Sequence, residues 1–175
     1  LGLSVAEKPA MSVMLEYAGH TLIRFDDGSY RWISVKRFVW DGTGDDPAVL
    51  AALIGHWRYR DHYMSPDSHE KDAGDIHGPY LVAAINPTEF LPLDKAGAAA
   101  VIEEFCGLFD ALPRPEVREQ IREVVLSRLG QSSWYRLRDL PEAIHELGCI
   151  LWEFRELVAI SRDGGEVLLV VMAID

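Results

Sequence analysis

Glu166-Val167-Leu168-Leu169-Val170-Val171-Met172-Ala173-Ile174 decides the fold. An apolar run of this length with no polar alternation is a strand covered on both faces, so it belongs in the middle of a sheet. Arg162-Asp163-Gly164-Gly165 before it is a hairpin turn, and Ile150 to Ile160 reads as the strand that turns into it, with Leu151 to Leu157 as an alternative extension of the preceding helix. At the other end of the chain, Val13–Tyr17, Thr21–Phe25 and Tyr30–Trp40 read as a β-meander, with a sharp turn at Asp26-Asp27-Gly28-Ser29. The middle is helical. Asp46-Pro47 opens a helix expected to run to about residue 60, with Leu50, Leu53, Ile54 and Trp57 on one face. Ala98, Val101, Ile102, Phe105, Leu108, Phe109 and Leu112 line one face of a second helix. Val117, Ile121, Val124 and Val125 line a third, which Gly130 stops. Asp139 and Glu142 resemble a capping box for a short fourth helix ending at Leu147. Tyr80–Ile85 reads as one buried strand.

Strands at both ends and helices between them predict an α+β fold. Its antiparallel sheet comes from the N-terminal meander and the C-terminal hairpin, with three to four helices from the middle packed on one face. Residues 1–10 are expected to be a leader outside the fold, and residues 11–175 a single domain.

The chain has 175 residues and a net charge of −11. That charge disfavours a general nucleic-acid binder and suits a basic protein partner. No apolar run reaches the length of about 20 residues that a membrane span needs. Leu1–Ala10 lacks the pattern of a signal peptide. Cys106 and Cys149 form no metal or disulfide framework and are expected to be buried thiols in a reducing, cytoplasmic setting. Arg114, Arg118 and Arg122 lie four apart with Glu116, Glu119 and Glu123 interleaved, which reads as a solvated, ion-paired face.

Residues 61–79 break the pattern, being almost devoid of apolar side chains. Loops this long in a compact domain are usually functional or disordered. Four of the six histidines (His56, His62, His69, His77) fall in or beside this stretch, among Asp61, Asp67, Glu70, Asp72 and Asp75. Imidazole with carboxylate is the ligand chemistry of divalent transition metals, so His69, Asp75 and His77 are candidate metal ligands. His62, His69, His77 and Asp75 are candidate catalytic groups, because imidazole titrates near neutrality. Trp57, Tyr63 and Tyr80 flank the stretch as candidate walls of a ligand cleft. With Asp67, Glu70 and Asp72 they form the candidate binding set. Gly74-Asp75-Ile76-His77-Gly78 resembles the first metal-binding motif of the serine/threonine metallophosphatases, Gly-Asp-x-His-Gly. The later Gly-Asp-x-x-Asp-Arg and Gly-Asn-His of that family are missing, and the likeness spans five residues, so no role is carried over. His145-Glu146-Leu147-Gly148-Cys149 falls one ligand short of H-E-x-x-H.

Two function classes remain. The first is a small acidic domain that binds a protein partner, in the manner of an inhibitor, immunity protein or adaptor. The second is a small enzyme or ligand-binding domain with its site in residues 56–78. Sheet edges at the terminal strands would also permit a homodimer.

Overall fold

The computed structural model describes residues 12–64 and 74–175. Its centre is a six-stranded sheet. The strands are β1 (Glu16–Arg24), β2 (Arg31–Val39), β5 (Phe90–Leu93), β6 (Ser133–Leu137), β7 (Glu153–Ser161) and β8 (Glu166–Ile174), in the order β1-β2-β8-β7-β6-β5. All pairings are antiparallel. The apolar run at the end of the sequence is thus the strand that joins the N-terminal hairpin to the C-terminal one. The fold is α+β, as the element order predicts. A separate pair, β3 (Ile76–His77) and β4 (Tyr80–Leu81), lies outside this sheet.

Register sorts the side chains between two layers. Trp32, Ser34, Lys36 and Phe38 of β2 stand opposite Ala173, Val171, Leu169 and Val167 of β8. Phe154, Glu156, Val158 and Ile160 of β7 continue the same rows. Helix α1 (Asp46–Gly55) covers this face with Val49, Leu50, Leu53 and Ile54, together with Tyr59, Tyr63 and Tyr80. The opposite face carries Ile33, Val35, Leu168, Val170, Met172, Leu157 and Ala159. Helices α2 (Lys95–Cys106) and α3 (Pro115–Val124) cover it through Val101, Ile102, Phe105, Val117 and Ile121. The helices therefore pack on both faces rather than one.

Several boundaries differ from the sequence reading for physical reasons. Ala18-Gly19-His20 is no turn: the strand runs through it with a bulge at Ala18, between Tyr17 and Gly19, and Gly19 has a φ of 145° that a side chain would resist. The meander is therefore a single hairpin. Helix α1 stops at Gly55, and His56, whose Nδ1 accepts from the Arg58 amide, starts a separate 3₁₀ turn. Helix α2 ends at Cys106, so Leu108, Phe109 and Leu112 leave its apolar face and the latter two are exposed. The segment 80–85 is two strand residues and a 3₁₀ turn, and the fourth helix shrinks to Pro141–Ala143. Strands β5 and β6 went unread: Pro92 interrupts the first, which pairs on one side only. The second is only five residues long.

Candidate functional site

One end of the sheet gathers three connections: the β1–β2 turn, the segment between α2 and α3, and the residues leading into β7. They enclose a cavity of about 470 Å³ lined by Asp27–Tyr30, Phe109, Ala111, Trp152, Ile174 and Asp175. Its three aromatic rings face water: Tyr30 is 73% exposed, Phe109 60% and Trp152 82%. Large apolar side chains grouped at the surface around a concavity mark a binding site more often than a packing accident.

The backbone under these rings is held in an unusual state. Asp26, Tyr30, Phe109 and Asp110 have φ of 50°, 57°, 64° and 53°, the left-handed region that L-residues disfavour. Each costs about 1–2 kcal/mol, and such residues persist only where their surroundings hold them. The holding group is Arg31, the first residue of β2, buried between sheet and helix. Its Nη1 donates to the carbonyls of Phe105 (3.3 Å) and Cys106 (2.6 Å). Its Nη2 donates to the carbonyl of Ala111 (2.9 Å) and to Asp27 Oδ2 (2.8 Å), and its Nε to Ser29 Oγ (2.8 Å). The guanidinium also lies 4.6 Å from the Phe25 ring centre and 6.0 Å from that of Phe109. One planar fork thus ties the turn at 27–29 to the segment 105–111, which a lysine could not do. Asp175 is fixed as well, since Trp32 Nε1 donates to its Oδ1 at 2.9 Å.

A second polar assembly lies inside the molecule, between the sheet and the segments 59–63 and 76–80. His77 and Glu156 are fully buried, with Nε2 and Oε2 2.7 Å apart. His77 Nδ1 donates to the carbonyl of Tyr59, whose hydroxyl donates to Glu156 Oε1 (3.0 Å). Because Nδ1 holds a proton, the short contact to Glu156 requires a second one between the two groups. The Tyr59 ring stacks on the imidazole with centroids 3.8 Å apart. Lys36, also buried, donates to Asp61 Oδ2 (2.7 Å) and to the carbonyl of Arg58 (3.0 Å), and sits 4.8 Å from the Tyr63 ring centre. Burial lowers the Lys36 pKa, partly offset by Asp61. Burial pushes the Tyr59 and Tyr63 hydroxyls well up, with the Glu156 and Asp61 charges adding to it. Every polar atom of the histidine–glutamate pair is engaged by protein and shielded from solvent. The arrangement anchors two connecting segments to the sheet and offers no open coordination or attack position.

No family model matches the chain, and no curated protein does. Solved structures similar to it include two of citrus MAF1. The one in space group C 2 2 21 is 14% identical, with 85% of this chain and 92% of that chain covered and a TM-score of 0.43. The one in space group P 31 2 1 is 14% identical, with 82% and 87% covered and a TM-score of 0.39. A likeness this loose carries no inference about function.

The residues singled out from the sequence fall in different places. His77 and Tyr63 join the buried assembly. Asp75, two residues before His77, turns the other way: its side chain is 86% exposed, 3.9 Å from Arg60. His62 accepts at Nδ1 from the Met64 amide and caps a turn. Asp67, His69, Glu70 and Asp72 lie outside the described residues. Among the described residues, no three His, Cys, Asp or Glu side chains converge as a metal site would require. Trp57 lines a cleft with Met14, Tyr17 and Trp40, whereas Tyr80 packs edge-on against Phe154, so they do not wall one cleft. Cys106 is half-buried, its thiol pushed up to about 11 by burial, but Cys149 is exposed, contrary to expectation. Tyr30, Arg31, Phe109 and Trp152 are not among the site residues the sequence suggests; Phe109 reads there as a helix-face residue and Tyr30 as a strand residue, yet both are exposed. Arg31 and Lys36 at inward strand positions, and Glu156 within Glu153–Ser161, were the available signal for two polar clusters. Among the described residues, no helix is long and apolar enough to cross a membrane.

Proposed function

We propose that this chain acts by binding a protein partner with a basic surface, and that the strand-end cavity is where the partner docks. The observation that carries this reading is the exposure of Tyr30, Phe109 and Trp152 on a backbone that Arg31 holds in a strained, fixed shape. Aromatic anchors that need no reordering are what interface hot spots consist of, because preorganisation reduces the entropic cost of association. The cavity lining includes two aspartates and no lysine, arginine or histidine, and the chain carries a net charge of −11, so a basic partner is favoured in approach and in contact. A reducing, cytoplasmic setting fits two cysteines that form no bridge. The alternative of an enzyme at residues 56–78 lacks comparable support, since His77 is sealed and Asp75 points away from it.

Site-specific photo-crosslinking in cells tests the proposal. A benzophenone amino acid placed at position 152 or 109 should trap one defined protein, and the same group at position 57 should not. Equal trapping at all three positions, or none above background at 109 and 152, refutes it.

A further inference from the structure

The chemistry of the cavity narrows what part of a partner enters it. Its floor is apolar, formed by Ile174 and Ala111, and its walls are the Tyr30, Phe109 and Trp152 rings. Its charge is one-sided. The Asp27 carboxylate is satisfied by Arg31 and by the Ser29 amide and hydroxyl. Asp175 is held by Trp32 through Oδ1 alone, and among the described residues nothing engages its Oδ2. Asp110, next to Phe109 in the chain, is exposed and has no ionic partner among the described residues. An apolar floor, aromatic walls and an oriented carboxylate with a free oxygen suit a long aliphatic stem that ends in a positive charge. The stem replaces water on the apolar surface, and the charge meets the ring faces and the carboxylate.

We infer that the strand-end cavity takes a single lysine or arginine side chain of the partner's basic segment, seated against Tyr30, Phe109 and Trp152 with its charge at Asp175. The inference rests on the docking reading above. The cation is selected by the site and not merely by overall charge: a −11 chain attracts basic segments everywhere, but here three exposed rings surround a fixed carboxylate with a free oxygen. A neutral side chain of equal length fills the same apolar floor and forgoes both electrostatic contacts.

The test uses three capped tripeptides, Gly-Lys-Gly, Gly-Arg-Gly and Gly-norleucine-Gly, titrated into the full chain and followed by ¹H–¹⁵N spectra. The lysine and arginine peptides should shift the Trp152 indole and the Tyr30, Phe109 and Ala111 amides. They should bind roughly five- to thirty-fold more tightly than the norleucine peptide. Asp175→Asn keeps an oxygen for Trp32 but removes the charge. It should shrink that preference to about two-fold or less and leave norleucine binding unchanged. A norleucine peptide that binds as well as the lysine peptide overturns the cationic anchor and leaves the docking face standing. Shifts that fall elsewhere, or none with any peptide, also overturn the anchor. The docking reading fails separately, on the crosslinking result.

Discussion

Arg31→Met is the perturbation that most sharply separates a held surface from an incidental one. The methionine keeps much of the buried volume but removes the fork that reaches Phe105, Cys106, Ala111, Asp27 and Ser29. Three carbonyls, one carboxylate and one hydroxyl lose a charged donor. Hydrogen bonds to charged groups contribute about 1.5–3 kcal/mol each, but the freed groups at the rim regain water. Breaking a buried charged network typically costs about 3–5 kcal/mol, and that is the loss expected here. For a chain of this size it corresponds to a fall in Tm of roughly 6–20 °C. The local effect is more telling than the global one. Without the fork the left-handed backbone at Phe109 and Asp110 loses the bonds that tie down Phe105, Cys106 and Ala111 on either side of it, so the segment between α2 and α3 relaxes. Hydrogen exchange of the amides from 107 to 112 should accelerate far more than that of β8, and partner binding should fall although every aromatic ring is retained. Arg31→Lys keeps the charge but not the fork and should recover only part of both effects. An Arg31→Met protein that melts within about 2 °C of the parent, with unchanged exchange at 107–112, would refute the reasoning.

Other consequences can be measured directly. Glu156→Leu with His77 retained should cost about 3–5 kcal/mol in denaturant unfolding, because the imidazole keeps its bond to Tyr59 but loses the carboxylate it was built against. Gly78→Ala should destabilise by about 2 kcal/mol or more, since φ is +53° there and the added carbon would meet the Phe154 ring that packs on His77. A thiol reagent at mildly alkaline pH should modify Cys149 quickly and Cys106 slowly, because Cys106 is half-buried with its pKa raised to about 11. Tyr135 should titrate at about 12 instead of 10.0, burial being the largest cause and the Asp46 carboxylate the next. The folded chain thus keeps a proton that the unfolded chain releases. The stability this gives is complete below pH 10 and lost as pH rises through about 12, which ultraviolet titration and unfolding at high pH would show.

The fold was legible where the hydrophobic pattern was strong. The unbroken run in β8 says one thing and the structure says the same; the start of α1 is legible to within one residue, the cap being Asp45 rather than Asp46. Legibility failed where tertiary context decides. The apolar spacing that begins at Ala98 continues past Cys106, yet the chain leaves the helix at Gly107 and puts Phe109 outside. Periodicity cannot tell an apolar residue that is buried by its own helix from one displayed by a strained connection. The candidate site suffered most from this, because it is assembled from residues 27–30, 109, 111, 152 and 174–175, which no local motif links. The histidine-rich stretch drew attention through composition, but its best-placed member, His77, spends both ring nitrogens on the protein interior. The better clue was positional: Lys36 and Glu156 share their strand face with Phe38 and Val158, where a charge needs a dedicated partner.

The most direct measurement is the affinity of the partner trapped at position 152, purified and titrated against three versions of the chain. They are the parent, Tyr30→Ala/Trp152→Ala at the strand end, and Met14→Ala/Trp57→Ala at the other exposed aromatic cleft, each checked for an intact melt. Losing two hot-spot rings should weaken binding by at least roughly thirty-fold in the first double variant, and the second should stay near the parent. Equal affinity for all three, or a loss confined to the Met14/Trp57 variant, would contradict the strand end as the docking face.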